Sequence, residues 1–214
     1  MERKKLRHFR AASVLLAAFV LWTAAVCIVD VQPIGPRGSA VGFASVNGFF
    51  HSLTGVHMSL YVITDWLSLI PVFVALGFAL LGLLQWIRRR SLARVDRSLF
   101  ALGGFYVLLL GAYIFFEYFV VNYRPMLIDG LLEASYPSST TMLVIGIMST
   151  AIMEFRERIG SRVQRRGVTI LCLCFTAFMV LGRLLSGVHW LSDIVGGVLL
   201  STGLVMLYGF ARQK

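Results

Sequence analysis

Residues 11–30, AASVLLAAFVLWTAAVCIVD, run for twenty positions with one charge, Asp30, at the very end. About twenty predominantly apolar residues is the length of helix that crosses the ~30 Å hydrocarbon core of a bilayer. A basic leader precedes the run and contains Arg3, Lys4, Lys5, Arg7 and Arg10. A secretory signal has this outline, but the apolar run is long for one, and Val26 before Cys27 spoils a lipoprotein-type cleavage site. The stretch reads as an uncleaved transmembrane helix.

Outward from it, five further apolar stretches are predicted to span, at about 59–87, 98–121, 137–155, 169–187 and 190–211. The composition agrees, with 58% hydrophobic and 14% charged residues and a mean hydropathy of +0.81. A soluble globular chain carries about a quarter charged residues. A disordered tail, a secreted disulfide scaffold and an ordinary cytosolic enzyme are excluded. The expected fold is therefore an all-α integral membrane protein of six transmembrane helices, forming one domain over 1–214. Residues 31–58 hold Pro33, Pro36 and several glycines and are too polar to span, so an outer loop with an interfacial helix is expected there. Cys27, Cys172 and Cys174 lie in apolar runs and read as small hydrophobes.

The net charge of +10 raises nucleic acid as a partner, and its distribution argues against it. Of the 20 lysines and arginines, all but Arg37, Arg124 and Arg183 fall in the leader, the 88–97 loop, the 156–166 loop and the tail with Arg212 and Lys214. Those four segments share one face of the six-span topology, which the positive-inside rule makes cytoplasmic. Both termini are then expected to be cytoplasmic, in a plasma membrane that would be the cytoplasmic membrane if the source is bacterial, and chemistry is expected at the sparse outer face.

Three outer segments hold the unusual polar residues. They are Glu117 through Arg124-Pro125, then Tyr136-Pro137-Ser138-Ser139-Thr140-Thr141, then Gly182-Arg183 through His189 to Asp193. His189 and Asp193 are four apart, so on a helix they share a face. A carboxylate there can take the imidazole Nδ1–H and leave Nε2 as a base or nucleophile. A guanidinium near a span end requires an anionic partner, and phosphate fits its fork. The Ser/Thr run opening the fourth span is a helix start with free N–H groups, an anion site in outline.

The order and spacing of these segments resemble the type-2 phosphatidic acid phosphatase group, related to vanadium haloperoxidases and bacterial acid phosphatases. Its pattern is Lys-x6-Arg-Pro, Pro-Ser-Gly-His and Ser-Arg-x5-His-x3-Asp. Arg124-Pro125, Pro137-Ser138-Ser139 and Arg183-x5-His189-x3-Asp193 match it over about 117–193. The resemblance implies the family's helical core, with His189 as the catalytic nucleophile forming a phosphohistidine and Asp193 as its orienter. Arg124, Arg183, Ser138 and Ser139 would hold the phosphoryl oxygens of a lipid phosphate or diphosphate drawn from the bilayer. It implies no metal and no cofactor.

This chain departs from the pattern at two positions. Glu117 stands at the lysine position and Thr140 at the histidine position, with Gly182 in place of the serine. Glu117 is expected either to pair with Arg124 or to be protonated in a partly apolar setting, and His51 and His57 in the outer segment read as interfacial polar residues in preference to the source of the missing proton. Loss of a general acid slows a reaction by on the order of 10²–10⁴, most severely for a poor leaving group. A diphosphate is therefore expected to be favoured over a monoester. The alternative is a family member without turnover that binds a lipid phosphate or a partner protein.

Overall fold

The computed structural model describes residues 2–212; Lys214 and the side chains of Lys4 and Lys5, counted above among the basic residues, lie outside the described residues. Eight α-helices follow in order. They are α1 (Glu2–Ile28), α2 (Ala44–Thr54), α3 (Met58–Leu67), α4 (Leu69–Arg89), α5 (Arg97–Tyr118), α6 (Ser139–Arg158), α7 (Arg162–Leu185) and α8 (Leu191–Ala211). Among the described residues only isolated bridges, such as Tyr123 with Ala134, represent β-structure.

Among the described residues five segments are long and apolar enough to cross a membrane: Leu6–Ile28, Met58–Arg89, Arg97–Tyr118, Arg162–Leu185 and Leu191–Ala211. The fourth expected span, 137–155, is α6 and differs in character. It packs against α4, α5, α7 and α8, and Thr140, Thr141, Thr150 and Glu154 are among its buried residues. A helix surrounded by other helices meets protein partners for its polar groups, so it does not need the apolar coat that lipid demands. The expected 59–87 span is two helices meeting at Ser68. Pro71 has no N–H to give the carbonyl one turn back, at Leu67, and the break sits between them. The short α2 lies within the expected outer loop, with Val46, Phe49 and Leu53 exposed on one stripe.

The basic loops at 88–97 and 156–158 and the tail residue Arg212 gather at one end of the bundle. There Glu154, fully buried, accepts from Ser98 Oγ at 3.0 Å and from Tyr208 Oη and Arg158 Nη1. Arg89 and Arg158 both reach Asp96, at 3.0 and 3.7 Å. Arg212 joins Glu157. Several of the arginines read above as orientation signals therefore also tie α4, α5, α6 and α8 together.

At the opposite end, α1 packs on α8 along its length. Phe19 of α1, Phe116 of α5 and Tyr136 form an aromatic triangle with ring centroids 5.7–6.4 Å apart. The Tyr136 hydroxyl meets Thr23 Oγ1 at 2.7 Å. Gly196 of α8 lies against this ring, where an added Cβ would come within 2.6 Å of Tyr136 Cε2. Tyr136 is 1% exposed and has no room to retreat. Overpacking of this kind costs about 1–3 kcal/mol. Gly196→Ala is expected to lower the melting temperature of the detergent-solubilised protein by several degrees, while Gly167→Ala, at an open position, does not; thermal unfolding followed by tryptophan fluorescence reads both.

Candidate active site

The site begins at the start of α8. Asp193, two residues into the helix, turns its carboxylate back so that Oδ2 accepts the Trp190 N–H at 2.9 Å. Its other oxygen accepts from Asn122 Nδ2 at 3.2 Å, and its backbone carbonyl accepts the Ser138 N–H at 3.0 Å. Asn47 supports the same corner. Its amide donates to Ser192 Oγ at 2.9 Å, and its Oδ1 accepts the Ser192 N–H at 3.1 Å. Both asparagines are buried. The sequence reading assigned neither a role, although an amide inside a mostly apolar stretch is the available signal, because it must find partners when buried.

His189 is 4% exposed. Arg124 Nη1 lies 3.3 Å from its Nε2, and Asp193 Oδ2 lies 3.7 Å from its Nδ1, longer than a hydrogen bond. A guanidinium only donates, so Nε2 is the accepting nitrogen and the ring proton sits on Nδ1, facing the carboxylate. Burial pushes the imidazole pKa down to about 4, with the Arg124 charge acting in the same direction and Asp193 opposing both. The ring is therefore neutral near pH 7, with the Nε2 lone pair facing the Arg124 guanidinium.

Arg124 is held by Glu133. The Arg124 N–H donates to the Glu133 carbonyl at 3.0 Å, and the Glu133 carboxylate lies 2.9 Å from Arg124 Nε. The expected Glu117–Arg124 pair does not form; Glu133, unweighted in the sequence reading, takes that place. Arg183 does not pair with Asp193 either. Its Nη2 donates to Asp65 Oδ1 at 2.8 Å, and its guanidinium lies 4.9 Å from the centre of the Tyr61 ring. The close approach of α3 to α7 has a second consequence. A Cβ on Gly182 would sit 2.7 Å from Thr64 Cγ2, so a serine there would collide with α3.

A cavity of about 280 Å³ lies above His189. Arg124, Glu133, Ser139, Met142 and Glu117 line it together with Tyr113 and Phe116 of α5. The three sequence segments thus meet in one place, with Arg124, Ser139 and His189 facing the same space and Asp193 behind the histidine. Arg183, Ser138 and Thr140 are not in the lining. Ser138 caps α6 through its hydroxyl, 3.5 Å from the Thr141 N–H, and its own N–H is committed to Asp193. Of the two serine amides it is Ser139, at the first turn of α6, that stands at the cavity. His51 and His57 brace the corner instead: His51 Nε2 meets the Gly187 carbonyl at 3.2 Å, and the His57 N–H meets the Ser186 carbonyl at 2.9 Å. The arrangement can hold an anion between a guanidinium and a helix start, and present a neutral imidazole to it.

Because the folded protein refuses a proton that an unfolded histidine takes up, stability is greatest above pH 6.5 and falls as the pH drops from about 6.5 to about 4. The full change is up to about 3 kcal/mol. Melting temperatures measured across that window should fall in the wild type and fall less in His189→Gln.

Comparisons with known proteins bear on the family and the fold. Residues 39–213 match the family described as the PAP2 superfamily. No curated protein matches the chain. Among solved structures, a transmembrane PAP2-type phosphatidylglycerolphosphate phosphatase from Bacillus subtilis superposes with a TM-score of 0.61 at 15% identity, over 93% of each chain. The chain is an integral membrane protein with the fold of that transmembrane phosphatase, and it belongs to the PAP2 superfamily.

Proposed function

We propose that this protein hydrolyses a membrane lipid phosphate or diphosphate through a phosphohistidine at His189. The observation that carries the reading is the convergence of a neutral His189 Nε2 and the Arg124 guanidinium, 3.3 Å apart, on a cavity opened by the first turn of α6. A phosphoryl group entering there takes the Arg124 donors and so releases the Nε2 lone pair. Nε2 then bonds to phosphorus, and the bond from phosphorus to the leaving oxygen breaks, the electron pair going with that oxygen. In the second step water adds to phosphorus, the N–P bond breaks, the water proton passes to solvent, and phosphate leaves. Arg124 and the Ser139 amide hold the phosphoryl oxygens, Asp193 orients the ring, and Arg183 and Ser138 support the site from behind.

Thr140 supplies no acid to the leaving group. An alkoxide needs that proton more than a departing phosphate does, so the preferred substrate is a diphosphate such as undecaprenyl diphosphate over phosphatidic acid or phosphatidylglycerophosphate. The charge distribution supports an orientation with both termini cytoplasmic and the site at the outer face. A second reading, binding without turnover, is favoured by the 3.7 Å separation of His189 from Asp193 and by the acidic side chain at Glu117.

Phosphate release from undecaprenyl diphosphate and from phosphatidic acid, in detergent without added metal, tests both readings. Release is expected to be faster from the diphosphate and to vanish in His189→Ala. Faster release from phosphatidic acid contradicts the leaving-group preference. No release from either, with vanadate still bound, would favour the binding protein.

A further inference from the structure

Arg124 sits where a membrane site is most exposed to the wrong ligand. Bilayer phospholipids are overwhelmingly phosphodiesters, each phosphate carrying one negative charge, and a free guanidinium at the membrane surface would collect them. In this structure the guanidinium is not free. Glu133 Oε2 lies 2.9 Å from Arg124 Nε, yet Nε has no directed hydrogen bond, so the contact is one of charge with no fixed geometry and can be exchanged. The two residues are held opposite one another by the Arg124 N–H to Glu133 carbonyl bond and by the adjoining Tyr123–Ala134 bridge. The Glu133 side chain is 37% exposed against 13% for Arg124, which leaves the carboxylate free to swing to water and the guanidinium fixed. Both line the cavity above His189.

We propose that Glu133 is a specificity-determining residue, an internal anion on Arg124 that excludes phosphodiester headgroups and yields to phosphoryl groups of two or more negative charges. The inference rests on the reading of Arg124 as the phosphoryl ligand. A monoanionic diester exchanges one ion pair for another of equal charge, with no net gain. A monoester or terminal diphosphate brings about −1.5 to −2 on its outer phosphate and gains charge on exchange. Discrimination through a repulsive element, rather than through added attraction, is a general route to specificity. Glu117 in the same lining adds to the repulsion without touching Arg124.

The test uses the intact protein in neutral detergent, with dihexanoyl phosphatidylglycerol as the diester probe and inorganic phosphate as the multiply charged one. Ligand-induced shifts in melting temperature report binding of each. Wild type should bind phosphate and ignore the diester. Glu133→Gln keeps an oxygen beside Arg124 Nε but removes the charge, and it should gain affinity for the diester by roughly tenfold, the scale of one partly exposed ion pair. Glu133→Ala should gain it too. Unchanged diester binding in Glu133→Gln overturns the proposal. Weakened binding of both probes would do so as well, making Glu133 a strut that merely holds Arg124. An equal gain in Glu117→Gln would replace local exchange with the overall charge of the cavity. Failure of wild type to bind phosphate would instead sink the phosphatase reading, and the diester comparison between wild type and variant would still be decided.

Discussion

The buried carboxylate of Asp193 is the constraint on which the site hangs. It has no exposure to solvent, and a charge so placed is tolerable only when its lone pairs are met by donors. The donors come from segments far apart in the chain: the Trp190 N–H from its own helix start and Asn122 Nδ2 from the loop after α5. The Asp193 carbonyl meanwhile takes the Ser138 N–H and so fixes where α6 begins. The dipole at the start of α8 favours the same charge. One residue therefore sets the positions of Arg124, which follows Asn122 by two, of Ser139, and of His189. The same commitment explains the 3.7 Å gap to His189 Nδ1: Oδ2 already accepts a backbone N–H, and it acts on the imidazole through charge.

What was legible in the sequence was local. The helix-forming apolar runs, the basic loops and the Arg183, His189, Asp193 spacing could all be read because each occupies one short continuous stretch of chain. The long-range pairings could not. Arg183 finds Asp65 across 118 residues, and that contact depends on how α3 and α7 are rotated about their axes, which no periodicity specifies. Glu133 is not legible in the sequence because a carboxylate in a loop carries no signal of its own until the Tyr123–Ala134 bridge folds it back onto Arg124. Conversely, the length of α6 reads as an ordinary span, whereas its threonines and Glu154 are the sign in the sequence that protein, not lipid, surrounds it.

The two ends of the bundle handle charge in different ways. At the arginine-rich end, buried Glu154 is closed in by Tyr208, Ser98 and Arg158, so a cost of desolvation is met by a full set of hydrogen bonds and helices are tied together. At the site end the charges are fewer, and each keeps something open. Arg124 is only loosely held by Glu133, and His189 Nδ1 has no hydrogen-bond partner. A site that must exchange one anion for another needs such incompletely satisfied groups, whereas a structural cluster does not.

This asymmetry bears on how a neutral histidine serves the proposed reaction. Before attack, burial and the nearby charges of Arg124 and Arg183 all disfavour imidazolium, so the nucleophile is present without any base to create it. Arg183 does not need to touch the substrate for this, because its charge, fixed by Asp65 beneath the site, acts through the protein. Once Nε2 bonds to phosphorus, the ring becomes cationic. The phosphoryl oxygens then occupy Arg124, removing part of the repulsion, and the nearest fixed charge left facing Nδ1–H is Asp193. The environment that suppresses protonation before attack thus favours the positive ring only after it, and stabilisation that appears along the reaction coordinate is what lowers a barrier.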